Sequence, residues 1–142
     1  MRRFFSIFLP LALLLSLVGC QTGESIKQSI FNFVLQNEQS ILLACSSADS
    51  DALLSMDKIQ EVDILESFVL VYCEGRGIAP SSQDYGFYYS KNDLPVAVFD
   101  GHILCDTTEL KQEGNGYQYC ENGNVFYTEK IADNLWFYSA SF

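Results

Sequence analysis

Residues 117–142 read YQYCENGNVFYTEKIADNLWFYSASF, and their pattern decides the fold. Asn122-Gly123 separates two runs rich in Tyr, Phe, Val and Thr. An Asn-Gly pair between strand-forming runs is among the strongest short-range hairpin signals, because both residues accept the positive φ that a tight turn demands. Ala132-Asp133-Asn134 reads as a second tight turn, and Leu135 to Phe142 as a last strand. A three-stranded antiparallel meander is therefore expected at the C-terminus.

Strand patterning continues upstream. Gly86-Phe87-Tyr88-Tyr89-Ser90, the turn Lys91-Asn92-Asp93-Leu94-Pro95 and Val96-Ala97-Val98-Phe99 read as a hairpin. A polar link then runs to Gly114-Asn115-Gly116. From Glu61, Val62, Ile64, Phe68, Leu70 and Tyr72 share one face, while Leu65, Val69 and Val71 fill the other. A run apolar on both faces predicts a single central strand. It ends at Glu74-Gly75-Arg76-Gly77 and the loop Pro80-Ser81-Ser82. Ahead of it, residues 24–45 carry Ile26, Ile30, Phe33, Val34 and Ile41 at helical spacing, with a bend expected at Asn37-Glu38-Gln39-Ser40. Residues 46–58 predict a loop and a short helical turn capped by Asp49 or Ser50. A helix ahead of a run of hairpins segregates helix from sheet. The expected fold is α+β: an N-terminal helix packed on an antiparallel sheet of five or six strands, of cystatin-like or similarly wrapped form.

Residues 1–20 follow a different logic: MRRFFSIFLPLALLLSLVGC. Arg2 and Arg3 precede an apolar run from Phe4 to Val18, shorter than the ~20 residues of a spanning helix. Positive charge, short apolar run and small residues in that order describe an export signal. Leu17-Val18-Gly19-Cys20 resembles the lipobox of bacterial lipoproteins. The resemblance implies cleavage before Cys20 and lipidation of its sulfur. Residues 1–19 are then the signal, 20–24 the lipidated cysteine and a short tether, and 25–142 one globular domain. Several acyl chains on one cysteine give the stable anchoring that a single chain does not. The tether spans roughly 15 Å at about 3.5 Å per residue, which keeps the domain against the membrane.

Eighteen acidic residues against eight basic ones give a net charge of −10. Such a chain lacks the basic footprint of nucleic-acid binding. It is repelled by anionic lipid, so the bilayer must be held through Cys20. A lone histidine rules out protein sites that need two imidazoles.

The other cysteines, Cys45, Cys73, Cys105 and Cys120, are even in number, which in an exported domain points to two disulfides. The preferred pairing is Cys45–Cys73 with Cys105–Cys120; buried free thiols are the alternative. Their wide spacing does not suit zinc.

Other constellations have plainer readings. Asp100-Gly101-His102 with Asp106 follows a strand in the manner of dinuclear metallophosphoesterases, but the further histidines those sites need are missing, and a polar turn explains it. Ser55-Met-Asp-Lys58 matches Ser-x-x-Lys without the partner motifs of penicillin-binding enzymes. Asp49, Asp51 and Asp57 read as a helix cap rather than a calcium loop, because Leu53 and Leu54 occupy ligand and glycine positions. Gly75-Arg76-Gly77 reads as a turn before an anion nest. Tyr88, Tyr89, Tyr127, Trp136 and Tyr138 form the candidate binding surface, since aromatics with polar tips are enriched where partners dock.

The stretches Gly86-Phe-Tyr-Tyr-Ser-Lys-Asn-Asp-Leu-Pro and Tyr127-Thr-Glu-Lys-Ile-Ala-Asp-Asn-Leu-Trp-Phe-Tyr resemble those of small lipoproteins of Gram-positive gut bacteria, over residues 59–142. That resemblance implies no activity. The sequence leads to an exported, lipid-anchored, non-catalytic binding or accessory module at a bacterial envelope. Its expected partners are the bilayer through Cys20 and an envelope protein or extracellular ligand, with no cofactor and no metal. The rival readings are a small hydrolase using paired carboxylates and an acidic inhibitor or immunity-type protein. A carboxylate pair in a concave pocket would favour the hydrolase, and a flat exposed Tyr/Trp face would favour binding.

Overall fold

The computed structural model describes residues 22–78 and 81–142. The expected signal segment, Cys20 and Pro80 lie outside them. Among the described residues the architecture is α+β: three helices, a seven-stranded antiparallel sheet and a separate two-stranded hairpin.

The helices are α1 (Gly23–Gln36), α2 (Glu38–Ser46) and α3 (Ser50–Leu54). The Thr22 side chain caps α1 by accepting from the Ser25 N–H. Asp49 caps α3 by accepting from the Ala52 N–H at 2.9 Å. The single helix expected over 24–45 breaks at Asn37, whose backbone N–H and Nδ2 both donate to the Phe33 carbonyl. A short polar side chain that competes for the backbone in this way ends a helix.

The strands are β1 (Glu61–Ile64), β2 (Phe68–Ile78), β3 (Ser81–Ser90), β4 (Ala97–Phe99), β5 (His102–Cys105), β6 (Lys111–Glu113), β7 (Gly116–Glu121), β8 (Asn124–Ala132) and β9 (Leu135–Ser141). The large sheet runs β1-β2-β3-β9-β8-β7-β6, and β4 pairs with β5. The C-terminal meander β7-β8-β9 is present with its turns at Asn122-Gly123 and Asp133-Asn134. β3 joins it to the β1-β2-β3 half by pairing with β9, Phe87 opposite Phe137.

Three expectations need correction. The strand expected from Glu61 is two strands, since the chain reverses at Leu65-Glu66-Ser67 and Val62 lies opposite Val71. The loop expected at Glu74–Ser82 is largely strand, with Arg76 opposite Gln83. Finally, β4 leaves β3 altogether: Val98 pairs with Ile103, which makes the link after Phe99 half of a second hairpin. The five or six expected strands thus become seven plus two among the described residues.

Apolar cores lie on both faces of the sheet. Ile26, Ile30, Val34, Ile41 and Leu53 from the helices share one core with Val69, Val71, Phe87, Leu135 and Phe137. The alternate strand residues Leu70, Tyr88, Trp136 and Tyr138 share another with Val96 and Val98. Phe126 and Ala140 meet Ala97 and Cys105 in a third cluster. A sheet covered on both faces explains why β2, β3 and β9 carry apolar residues without alternation.

Candidate functional site

The aromatic side chains expected to form a binding surface do not share one exposed face. Tyr88, Trp136 and Tyr138 are 0%, 5% and 6% exposed. They lie in the core between sheet and hairpin, with Tyr88 stacked on Trp136 at 6.5 Å. Tyr89 and Tyr127 are half-buried and pack against the helix-side core instead. Tyr127 donates to Glu129 at 2.6 Å, and the Lys27 ammonium sits 5.3 Å from its ring. Central strands have no solvent face to give, so the composition that could have built a docking surface was spent on packing.

The expected disulfides are also not formed. Cys45, Cys73 and Cys105 are buried free thiols and Cys120 is an exposed one. Cys45 and Cys73 belong to the helix-side core, where burial pushes each thiol up to about 12. Burial also raises Cys105, in the hairpin-side core. Cys120 faces solvent on β7, with Gln118 donating to its sulfur at 3.0 Å. A buried thiol so far from ionisation is a poor nucleophile. Native thiol labelling should therefore modify Cys120 promptly and the other three only in denaturant. No labelling of Cys105 and Cys120 in denaturant without reductant would restore the second bridge.

The minor motifs resolve as structure. Ser55 ends α3 and donates to the Ala52 carbonyl at 2.7 Å. Arg76 lies within β2 and contacts Glu74 at 3.3 Å. Asp106 accepts from Thr108 at an exposed turn, away from the cleft described next.

Asp100-Gly101 forms the polar turn expected of it, between β4 and β5. Both residues have positive φ, 46° and 69°, as a type I′ hairpin requires. The turn closes a cleft of about 360 Å3 against the sheet. β1 contributes Glu61 and Asp63, β2 contributes Leu70 and Tyr72, and β3 contributes Asp84. Tyr138 and Ala140 of β9 line it too, as do Phe99, Asp100 and His102 of the hairpin. Gly101 is needed for the closure. A Cβ there would fall 2.6 Å from Asp63 Oδ2, on a backbone already in the left-handed region.

Four carboxylates thus face one space. Burial raises the Asp84 carboxyl above the ordinary range, and the negative charge of Asp100 raises it further. The Tyr72 hydroxyl is raised by burial and then by Asp84, Glu61 and Glu74. Burial likewise raises Tyr138, reinforced by Cys73, Asp84, Tyr72 and Asp63. Among the described residues no group of three or more His, Cys, Asp or Glu side chains is placed to hold a metal ion.

Because Asp84 is raised in the folded state, the folded chain binds that proton more tightly than the unfolded chain. Its contribution to stability is full at low pH and declines as pH rises from the unfolded value through the folded one. Asp84→Asn should therefore be at least as stable as the parent at neutral pH, with the advantage gone below about pH 4. Urea midpoints measured across pH check this; a less stable variant at pH 7 would refute it. In Asp100→Asn, the Asp84 carboxyl should titrate closer to an ordinary aspartate, as followed by carboxyl-carbon NMR.

Sequence reasoning did not find this cleft. Its signal was present but weak: Asp63 and Asp84 are polar residues at inward positions of apolar strands, and only the register reveals which positions point inward. No family model matches the chain, and neither a curated protein nor a solved structure matches it.

Proposed function

We propose that this protein is an exported lipoprotein, anchored through Cys20 to the outer side of a bacterial membrane, that binds a small polar ligand in the cleft between the sheet and the β4–β5 turn. The cleft carries the reading. Its volume of about 360 Å3 falls within the range of small-molecule sites, roughly 300–1,000 Å3. Its lining mixes apolar walls with convergent polar groups, as such sites do. The anchor rests on Leu17-Val18-Gly19-Cys20 and on the short distance along the chain to Gly23, where α1 starts.

Two measurements test the two halves. The intact mass of protein extracted from membranes should equal residues 20–142 plus acyl chains. An unmodified mass in the soluble fraction would remove the anchor. Amide NMR shifts during a fragment screen should concentrate on residues 61–63, 84 and 100–102. Shifts concentrated elsewhere would remove the cleft as the ligand seat.

One observation favours a second reading, catalysis by paired carboxylates. The raised Asp84 carboxyl beside the charge of Asp100 is the environment of a general acid next to an ionised partner. A substrate whose turnover fell by orders of magnitude in Asp84→Asn, with binding retained, would establish it.

A further inference from the structure

The cleft's ligand class follows from how its charges and rings are combined. This inference rests on the reading of the cleft as a ligand seat. Glu61, Asp63, Asp84 and Asp100 supply negative charge on the same walls as the rings of Tyr72, Phe99 and Tyr138. A metal ion would use only the carboxylates, and calcium asks for six to eight oxygens around one point. The described residues place no such group of side chains. An organic ammonium uses both features. Its charge is attracted to carboxylates and to aromatic faces, and its methylene stem packs on apolar surface such as Leu70 and Ala140.

Tyr138 adds a second, independent pointer. The residue is only 6% exposed, and its phenol oxygen makes no hydrogen bond with any described residue. That oxygen is nevertheless not sealed away, because no buried side-chain oxygen or nitrogen is left without a partner. Tyr138 lines the cleft, and the Asp84, Tyr72 and Asp63 groups that act on its hydroxyl line the same cleft. A hydroxyl held rigidly by burial, beside carboxylates and unused by the protein, is a ready acceptor for an N–H donor. Neither the sheet nor the hairpin needs that oxygen for its own hydrogen bonds.

We propose that the cleft binds small organic ammonium ions, alkylamines or polyamines, with Asp84 and Asp100 as the charge partners and the Tyr138 hydroxyl as an additional acceptor. The geometry selects an extended cation with an apolar stem over a compact hydrated one.

The test uses the full chain in detergent micelles, labelled with nitrogen-15 and held at fixed ionic strength. Spermidine, calcium and glycerol are titrated separately. Spermidine is expected to shift the amides of residues 61–63, 84 and 100–102. Asp84→Asn combined with Asp100→Asn should weaken spermidine binding by at least about tenfold, the loss of one charged hydrogen bond or more. Asparagine suits both sites, since it keeps the shape and accepts the positive φ of residue 100. Tyr138→Phe should weaken spermidine by a few fold and leave folding intact. Calcium binding as tight as spermidine's, or spermidine binding unchanged in the double variant, would overturn the proposal, since the amine would then be reading general acidity. Cleft shifts from glycerol without shifts from spermidine would overturn the ligand class and leave the cleft reading standing. Fragment shifts located only outside the cleft would overturn both.

Discussion

Replacing Gly86 with alanine should cost about 3 kcal/mol and disturb the cleft together with the fold. The added methyl would fall 2.0 Å from the Val71 carbonyl oxygen, and 2.6 and 2.8 Å from Cε1 and Cζ of Tyr138. The oxygen is backbone of β2 and cannot retreat without breaking register on both sides. Tyr72 lies opposite Gly86 across one ladder and Tyr138 lies opposite it across the other. The tyrosine cannot swing away cheaply either, because it is packed between sheet and hairpin. Overpacking a core ordinarily costs about 1–3 kcal/mol, and a clash with immovable backbone belongs at the top of that range. For a domain of this size the thermal midpoint should fall by roughly 10 °C. Thermal and urea unfolding followed by circular dichroism measure it. A variant within about 0.5 kcal/mol of the parent, the usual effect of a surface change, would show that β3 has room the geometry denies.

Gly86 also shows what the sequence makes legible and what it conceals. Local chemistry was readable wherever a residue's own backbone need decides the structure. Asn122, Gly123 and Asn134 have positive φ in the turns expected of them, and Asp49 caps the helix it precedes. The reversal at Leu65-Glu66-Ser67 was hidden because it uses no Gly, Pro or Asn, and because β2 is apolar on both faces. The path of residues 91–95 was hidden for a different reason. Asp93 accepts from Trp136 Nε1 and from the Asn134 N–H, each at 3.0 Å, and pairs with Lys130. These contacts across some forty residues carry the chain away from β3, where a hairpin turn had been expected. The cleft is the extreme case. Glu61, Asp63, Asp84 and Asp100 come from three strands and a turn, and only sheet register brings them together. The tyrosines misled in the opposite direction, since the same residue types serve a packed core and a docking surface.

Tyr88→Phe removes a single oxygen, yet it should destabilise the protein by about 2 kcal/mol. The Tyr88 hydroxyl accepts from the Val96 N–H at 2.9 Å and lies 2.7 Å from Thr128 Oγ1. Thr128 donates its one hydroxyl proton to the Phe137 carbonyl at 2.9 Å. The direction of the shared bond follows: Tyr88 donates to Thr128 and accepts from Val96. All three residues are buried, at 0%, 1% and 4% exposure for Tyr88, Thr128 and Val96. Phenylalanine would keep the packing against Trp136 but strand the Val96 N–H away from water. Leaving a buried donor unpaired costs about 1–3 kcal/mol, far more than the net value of an average hydrogen bond. The consequence reaches the candidate site, because Val96 leads into β4 and β4 leads into the Asp100-Gly101 turn. Loosening that tie should release the hairpin wall of the cleft before the sheet itself melts. Hydrogen exchange is therefore the discriminating measurement. In Tyr88→Phe the Val96 amide and those of β4–β5 should lose protection more than the amides of β3 and β9. Equal loss throughout would mean that the hydroxyl supports global stability only. Unchanged protection at Val96 would mean that its N–H finds another acceptor, and that the hairpin is held to the sheet by apolar contact alone.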